Sequence, residues 1–444
     1  MRKILSLFTL AVLLSALCFQ SCDRKDEPVA EEQEEVVEPA VPAVQDAPKD
    51  PVPEDDQKDQ ESQEDQQKWI FPGGYHKTRL SLDEDQKKNI DPSNDFAFNF
   101  LRKHYGEGGN VFLSTLGIQT VLAMEGNRSS SDGAEFCKVL GLEGDDVEAV
   151  NGYFKRLIGD LTGEECGNEL KFSNAYMSDV FAMKMSQEYL DLLKEYYYAD
   201  HIEIEAKTLD EQPVGDRPED LWFKEKTGGL ISTAPLPILP FDESLMNAVY
   251  FKDAWFFPFE KDATKQDKFF TSPEKEIIMP MMNITEWFSY YVDDDFRAVS
   301  LPFKHNSFDL TILLPSKRFD LEGLMGKLSS SVWSEMRKKF VKGMAAVSIP
   351  SFETSYSIEL PLSHFFSRAT GKLVQKTIFK IDEEGASAAA ATQGMLSTSP
   401  GEPPKIETFI ADSPFIYTIT ESGSGLILFI GVYSGADKEE MIQS

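Results

Sequence analysis

The stretch that decides how the chain is organised is KIDEEGASAAAATQGMLSTSPGEPP, residues 380–404. Seven small residues follow one another from Gly385 to Ala391, and a segment containing Gly, Ser, Thr and Pro comes next. Taken alone, such a stretch fits a short helix, a flexible linker or an exposed functional loop. The strand-forming residues after it, roughly 40, are too few to fold alone. The stretch is therefore predicted to be a long loop that leaves one core and returns to it.

Much of the chain around that loop has the pattern of β-strands, in which apolar residues alternate or form short continuous runs. After the loop, residues 415–420 and 426–432 are two such runs, joined by the turn residues 421–425. Before the loop, the runs lie at residues 201–204, 246–251, 308–314 and 345–349.

Helical spacing is concentrated in the first part of the sequence. A helix is expected from about Pro92, with Ser93 or Asn94 as its cap and Phe96 and Phe100 on one face. Two further helices are expected at residues 116–124, after the cap Ser114, and at residues 187–198, after the cap Ser186. Because helices precede strands without regular alternation, the predicted fold class is α+β.

The first 22 residues have the pattern of an export signal. Arg2 and Lys3 precede a predominantly apolar run, residues 4–17, which is too short to span a bilayer comfortably. The run leads to FQSC, residues 19–22, which resembles the lipobox of bacterial lipoproteins, although Phe and Gln are unusual there. Residues 1–22 are therefore predicted to be a signal peptide that ends at a lipidated Cys22. The alternative is an ordinary secreted protein in which Cys22 is incidental.

The next segment, residues 23–88, is predicted to be an acidic, disordered tether. Its first part is rich in Glu, Asp, Gln and Pro and buries too little apolar surface to offset the entropy of ordering. A folded domain is expected at residues 89–438, followed by a tail at residues 439–444. Together with the lipid signal, this order predicts a bacterial lipoprotein of the cell envelope, exported to the outer membrane or the cell surface.

Charge excludes one class of partner. The chain has 44 Lys and Arg against 75 Asp and Glu, a formal net charge of −31. Nucleic acid is therefore not an expected partner, because binding to phosphates needs the opposite sign. For the same reason, contact with a membrane is expected through the lipid anchor only.

Four cysteines in 444 residues exclude a scaffold held by many disulfides. Removal of the signal peptide eliminates Cys18 and leaves Cys22 for the lipid, so Cys137 and Cys166 remain in the domain. A disulfide between these two and a pair of buried thiols both stay open.

No motif of an enzyme is present in the sequence. H-E-x-x-H, G-x-S-x-G and a phosphate-binding loop are all missing, and the five histidines are scattered singly. No catalytic residue, metal ligand or cofactor is therefore predicted, and the protein is not expected to be an enzyme.

Three motifs together resemble the serpin family. They are NAVYFKDAW at residues 247–255 with FPF at residues 257–259, EEGASAAAAT at residues 383–392, and SPFIYTI at residues 413–419 with ILFIG at residues 427–431. The resemblance extends over residues 92–436 and implies a fold of three β-sheets, about eight or nine surrounding helices and an exposed reactive-centre loop.

Four positions depart from the family's usual residues. Serpins usually have Pro and Ser where this chain has Thr115 and Gly117, Asn where it has Asp220, and often His where it has Gln375. In the family these positions lie near the point where the main sheet opens. The departures therefore affect the expected energetics of opening and leave the expected fold unchanged.

The resemblance implies a monomeric inhibitor that traps a secreted serine protease in a covalent complex. The protease cuts the loop as a suicide substrate, forms an acyl-enzyme and is deformed when the cleaved loop enters the main sheet. The hinge of that insertion is implied to be Glu383, Glu384, Gly385, Ala386, Ser387, Ala388, Ala389, Ala390, Ala391 and Thr392.

The resemblance also places the cleaved bond about 15 or 16 residues after Glu383. We favour Thr398–Ser399 over Ser399–Pro400, because most serine proteases accept proline poorly after the bond; Leu396 and Met395 are alternatives. Small, uncharged residues there favour elastase-like or subtilisin-like targets. An inhibitor of papain-like cysteine proteases and a non-inhibitory serpin that binds or carries a ligand remain alternative functions.

Overall fold

The computed structural model describes residues 78–105, 109–162, 169–369, 371–386 and 405–435. Within these ranges, nine α-helices, α1 to α9, occupy Glu84–Lys87, Ile90–His104, Thr115–Ser129, Gly133–Val139, Val147–Thr162, Gln187–Tyr197, Pro218–Lys226, Leu321–Lys327 and Ser330–Lys338. Fifteen strands, β1 to β15, occupy Val111–Leu113, Glu169–Asp179, Asp200–Ile204, Glu243–Ala254, Lys265–Ser272, Lys275–Val292, Phe296–Pro302, Phe308–Pro315, Val341–Pro350, Phe352–Pro361, Lys372–Ile381, Gly385–Ala386, Glu407–Ile410, Phe415–Glu421 and Ile427–Tyr433. The predicted α+β class is confirmed, and no helix in the described ranges is long and apolar enough to cross a bilayer.

Two of the three predicted helix caps are confirmed. The Ser114 hydroxyl accepts the N–H of Gly117 at 3.3 Å, and the Ser186 hydroxyl accepts the N–H of Tyr189 at 3.3 Å. Each hydroxyl satisfies an N–H that has no partner inside the helix, which explains why α3 and α6 begin where they do.

The cap predicted for α2 is wrong. The helix begins at Ile90, so Pro92 lies in its first turn, where a missing N–H costs nothing. The side chain of Asn94 instead donates to the carbonyl of Gly425 at 3.1 Å and accepts the N–H of Ile427 at 2.8 Å. Asn94 therefore fastens the helix to β15, a contact more than 300 residues away in sequence.

The folded part of the chain also begins earlier than residue 89. Leu80 and Leu82 are buried in the main core, and the N–H of Arg79 donates to the carboxylate of Glu421 at 2.7 Å. The predicted tether is therefore too long at its C-terminal end. Its remaining part, the signal peptide and the tail at residues 439–444 lie outside the described residues.

The largest sheet has nine strands in the order β1-β15-β14-β8-β7-β6-β9-β13, with β5 paired to β6. Aromatic rings cover its inner face: Phe112 of β1 stacks on Phe429 at 5.2 Å and on Phe379 at 4.8 Å. Because Phe379 belongs to β11, the main core lies between this sheet and the strand pair β10-β11.

The remaining strands form two sheets. β10 and β11 pair antiparallel over ten residues, and a four-stranded sheet has the order β12-β4-β2-β3. Helix α7 covers one face of the four-stranded sheet, where Trp222 and Phe223 pack with Met177, Met246 and Ala248 in a second, smaller core. Three sheets are thus present in the described part of the chain, as the resemblance implies.

Candidate functional site

The site begins where β11 ends and the chain turns back on itself. Asp382 and Gly385 exchange two backbone hydrogen bonds of 3.2 Å, with Glu383 and Glu384 at the tip of the turn. The chain then continues as β12, in which Gly385 pairs with Ala254 and Ala386 with Asp253. The first two small residues of the predicted hinge are therefore already part of a sheet.

Only glycine fits the first position of β12. Gly385 has a φ of +131°, a conformation that side chains disfavour, and an added Cβ would lie 2.5 Å from the carbonyl oxygen of Asp253. The neighbouring Ala386 is 2% exposed and belongs to the main core. This geometry explains why a small residue follows a glycine at the start of the hinge.

Side chains and backbone after β4 fasten the turn. The indole N–H of Trp255 donates to the carbonyl of Asp382 at 2.9 Å, and the Thr264 hydroxyl donates to the Glu383 carboxylate at 2.8 Å. Lys261 pairs with Glu384 at 2.7 Å, and this hydrogen bond raises the pKa of the lysine. The exposed ion pair contributes little to stability, whereas the indole bond holds the turn against the sheet.

Beyond β12, the neighbouring strands β4 and β11 belong to separate sheets; we call this pair the divided sheet. β11 lies beside β4, yet no strand ladder joins the two among the described residues. β12 runs antiparallel to β4, and Asp382 and Gly385 pair antiparallel across the turn. We refer to this boundary, at which β4 and β11 lie side by side without a ladder among the described residues, as the cleft; β12 lies at one end of it and runs antiparallel to β4.

Buried polar side chains form the floor of this cleft. The Gln375 side chain of β11 accepts the N–H of Ser114 at 3.0 Å and donates to the carbonyl of Ser114 at 2.9 Å. Asn247 of β4 donates to the side chain of Asn174 at 2.8 Å, while its own buried carbonyl oxygen has no partner. Gln375 thus replaces the usual histidine with a pair of bonds to the backbone that caps α3.

The lack of a side chain at Gly117 lets the start of α3 pack closely against β4 and β11. An added Cβ would lie 2.3 Å from the side-chain oxygen of Asn247 and 3.2 Å from the side-chain nitrogen of Gln375. The serine that is usual in the family would therefore push against both β4 and β11. In this chain the missing side chain lets Asn247 approach α3 directly.

Asp220 forms a buried ion pair at the start of α7. It accepts two hydrogen bonds from Arg217, at 2.6 and 2.7 Å, and the N–H groups of Gly215 at 2.8 Å and Ala234 at 2.6 Å. Burial raises the pKa of the Asp220 carboxyl, but these hydrogen bonds outweigh it, so the pKa is lowered overall. The positive charge of Arg217 thus compensates the buried negative charge of Asp220, whereas the asparagine that is usual in the family would need no such cation.

Sequence reasoning missed one pair beside the hinge. His305, in the turn between β7 and β8, lies with its Nδ1 at 3.0 Å from the carboxylate of Asp253, the residue that pairs with Ala386. Burial raises the pKa of Asp253. The two residues are 52 positions apart, so no local pattern could have brought them together.

Several predicted site residues fall outside the described part of the chain. They are Ser387 to Thr392 of the hinge, the bond residues Thr398, Ser399 and Pro400, the alternatives Leu396 and Met395, the lipidation site Cys22, and Cys166. Cys137 is buried on α4, and burial raises the pKa of its thiol. A disulfide between Cys137 and Cys166 and a pair of buried thiols both stay open, because Cys166 is not described.

Known proteins match this chain over most of its length. The family model of the serpins, described as serine protease inhibitors, matches residues 91–435. A serpin-like protein of Thermococcus kodakarensis is 29% identical over 375 residues, which are 79% of this chain and 86% of that protein. The leukocyte elastase inhibitor of Bos taurus is 28% identical over 362 residues, 74% of this chain and 93% of that protein.

A solved structure shares the fold. The thermophilic serpin tengpin in its native state has a TM-score of 0.69 and 23% identity, and the match covers 80% of this chain and 95% of that one. The described hinge residues, Glu383 to Ala386, lie within the region that the family model matches.

Proposed function

This chain belongs to the serpin family of serine protease inhibitors, and on that premise we propose that it is a suicide substrate whose cleaved loop enters the cleft between β4 and β11. The main support for this proposal is the pairing of β12 with β4. β12 already pairs with β4 at the mouth of the cleft, in the orientation that the rest of the loop would continue. Insertion then requires the existing strand to grow and needs no new strand to be started.

The covalent step follows from the chemistry of serine proteases. The protease serine attacks the carbonyl carbon of Thr398, and the collapse of the tetrahedral intermediate breaks the peptide bond to Ser399. The Ser399 nitrogen leaves as an amine with a proton from the protease histidine. Thr398 then remains as an ester of the protease, and hydrolysis of that ester competes with insertion of the loop.

Insertion is favoured by backbone pairing. A strand between β4 and β11 gains hydrogen bonds on both edges, each contributing about 0.5 to 1.5 kcal/mol. Over about 12 residues the gain reaches on the order of 10 kcal/mol. The segment from Gly385 to Ala391 carries no charge to bury and no proline that would remove a donor.

The position of Ala386 also sets which side chains would face the core. Because strand residues alternate between faces, Ala388 and Ala390 would join the buried Ala386 on the inner face. Ser387, Ala389 and Ala391 would lie on the opposite face of the sheet. Every position predicted to face inward in this part of the loop is an alanine.

The proposed targets are elastase-like and subtilisin-like proteases. Thr398 and Ser399 are small and uncharged, which suits a shallow specificity pocket, and no Lys or Arg lies between Lys380 and Lys405. The bovine relative named a leukocyte elastase inhibitor supports this class. Trypsin is expected to be a weak target at most.

The test is to incubate the protein with pancreatic elastase and to separate the products on a denaturing gel. A covalent band that contains both proteins, with release of a peptide beginning at Ser399 in the mass spectrum, is expected. Cleavage without such a band would overturn the proposal and favour a non-inhibitory serpin. A covalent band with papain and none with elastase or subtilisin would move the target to cysteine proteases.

Two matched variants locate the cleaved bond. Thr398→Arg is expected to create a covalent complex with trypsin, whereas Ser399→Arg is expected to give far less, because its arginine precedes Pro400. The reverse ranking of the two variants would move the cleaved bond to Ser399–Pro400.

We also propose that the protein is a lipoprotein held in the bacterial cell envelope through Cys22. The acidic segment after Cys22 would keep the inhibitor domain accessible to secreted proteases. The Cys22→Ser variant is expected to leave the membrane fraction while keeping its inhibitory activity. Equal membrane association of the variant and the parent would contradict the anchor.

A further inference from the structure

Helix α3 is bonded to the strands on both sides of the cleft. Just before its first residue, the backbone of Ser114 exchanges two hydrogen bonds with the Gln375 side chain of β11. Near its last residue, Arg128 reaches Glu243, the first residue of β4, and its Nη1 lies 2.5 Å from the Glu243 carboxylate. The helix therefore links the strand pair β10-β11 with the four-stranded sheet.

A buried carboxylate on the same helix holds Arg128 in position. The side chain of Glu125, one turn earlier on α3, has no solvent exposure and accepts a hydrogen bond from Arg128 Nε at 2.9 Å. The Ser129 hydroxyl donates to the other oxygen of this carboxylate. Burial raises the pKa of Glu125, and the positive charge of Arg128 acts against that rise. The guanidinium is thus fixed to the helix while its Nη1 bonds to β4.

Glu243 is held from within its own sheet as well. The Tyr176 hydroxyl of β2 donates to the second oxygen of the Glu243 carboxylate at 2.6 Å. β2 and β4 pair with each other from Ser178 and Glu243 onwards, so the Tyr176 bond lies inside one sheet. The Arg128 bond, by contrast, runs from that sheet to the helix. Among the described residues it is the one hydrogen bond between α3 and β4.

A strand that fills the cleft as far as the start of β4 has to break this bond. Neighbouring strands of a sheet lie about 4.8 Å apart, so a strand between β4 and β11 places these two about 9.6 Å from one another. β4 and β11 are direct neighbours before insertion. Because two bonds fix Gln375 of β11 to the backbone before α3, the four-stranded sheet is the part that moves. Glu243 then leaves Arg128 by more than a hydrogen bond can span.

We infer that the Arg128–Glu243 pair is a latch that sets how fast the cleft opens. The inference rests on the proposed function, because the cleft opens in order to accept the cleaved loop. The side chains of Arg128 and Glu243 are 21% and 22% exposed, so water can replace the bond that is lost. Arg128 keeps its bond to Glu125, so opening leaves no uncompensated charge buried on the helix. The latch therefore slows opening without preventing it.

The test compares two latch variants with a matched control. Glu243→Ala removes the carboxylate, and Arg128→Lys keeps a cation beside Glu125 but lacks the fork of nitrogens that bonds two carboxylates at once. Tyr176→Phe removes the other bond to Glu243, the one that lies inside the sheet. All three variants are expected to lose some stability in urea unfolding, so stability does not distinguish them.

The rate of insertion does distinguish them. After the loop is cut by elastase, pulsed hydrogen exchange follows how fast the amides of β4 gain protection. Both latch variants are expected to gain it about tenfold faster than the parent, and Tyr176→Phe at the parent rate.

The parent rate in either latch variant would overturn the inference, since the pair acts only through both partners. Equal acceleration in Tyr176→Phe would overturn it too, because the effect would then come from lost stability. If the parent itself gains no protection in β4 after complete cleavage, the proposed function fails instead.

Discussion

The nine-stranded sheet and the divided sheet of β4 and β11 differ in how completely their strands are paired. In the large sheet, neighbouring strands are joined by hydrogen bonds. β14, for example, pairs with β8 on one edge and with β15 on the other, so both of its edges are occupied. In the divided sheet, β4 is paired with β2 along its length on one edge, while the other edge has only the two-residue β12.

The two sheets also differ in what a change of strand pairing would cost. Opening the large sheet would break existing ladders and expose the stacked rings of Phe112, Phe429 and Phe379. Filling the cleft between β4 and β11 breaks no described ladder and adds hydrogen bonds on two edges. Under the proposed function, the divided sheet is therefore the part of the molecule in which loop insertion lowers the free energy.

The largest expected effect is a rise in thermal stability when the loop is cut. Insertion is expected to stabilise the protein by on the order of 10 kcal/mol, which corresponds to a Tm increase of roughly 10 to 15 °C for a domain of this size. Differential scanning calorimetry before and after limited cleavage by elastase measures the change. A cleaved protein that melts at the same temperature as the intact one would place the loop outside the cleft.

The second prediction compares a charged substitution on the inner face of the inserted strand with one on its outer face. Ala388→Arg would place a charge on the inner face beside Ala386, whereas Ala389→Arg would place it on the outer face. We expect Ala388→Arg to reduce the ratio of covalent complex to cleaved product at least about tenfold, since each 1.4 kcal/mol of added cost is a factor of ten. Densitometry of gels at equal protease checks this, and an equal loss in both variants would contradict the register.

The third effect concerns the floor of the cleft. Gly117→Ala adds a Cβ that would meet the side chain of Asn247, and we expect it to destabilise the protein by about 1 to 3 kcal/mol. Gly152→Ala, in α5, has no atom within 4 Å of the added Cβ and is expected to stabilise by about 0.5 to 1 kcal/mol through helix propensity. Urea unfolding of the two variants measures both signs, and a stabilised Gly117→Ala would show that the floor has room.

The fourth effect is a change in stability that depends on pH. Because the pKa of Asp220 is lowered in the folded state, its contribution to stability is present above its ordinary pKa and is lost as the pH falls through the lowered value. Asp220→Asn is expected to cost about 1 to 3 kcal/mol at pH 7, and the difference from the parent should shrink as the pH is lowered below about 4. Asp210→Asn, at an exposed position, is the control. A difference that stays constant with pH would show that the charge of Asp220 contributes nothing.

The sequence predicted those features that depend on nearby residues. The strand runs and the helices behind Ser114 and Ser186 follow from periodicity and caps, and the structure contains each of them. The hinge follows from a family motif and stays a prediction. The cap of α2 failed because Asn94 is used for a contact with β15 instead. Local preference cannot anticipate such a contact.

The parts of the site that sequence could not supply are contacts between distant segments. Three hydrogen bonds join residues that are far apart in sequence: Asp253 with His305, Gln375 with the backbone of Ser114, and the backbone of Arg79 with Glu421. They form only because the fold places these segments side by side. The departures at Gly117 and Gln375 were visible in the sequence, but their mutual fit around Asn247 required the structure.

Hydrogen exchange of the backbone amides, compared between intact and loop-cleaved protein, reports whether the loop has entered the cleft between β4 and β11. If the loop fills the cleft, amides of β4 and β11 that face each other gain protection after cleavage, while those of β14 and β15 in the large sheet stay as they were. Unchanged exchange in β4 and β11 after complete cleavage would contradict insertion of the loop, because no strand would then have paired with either of them.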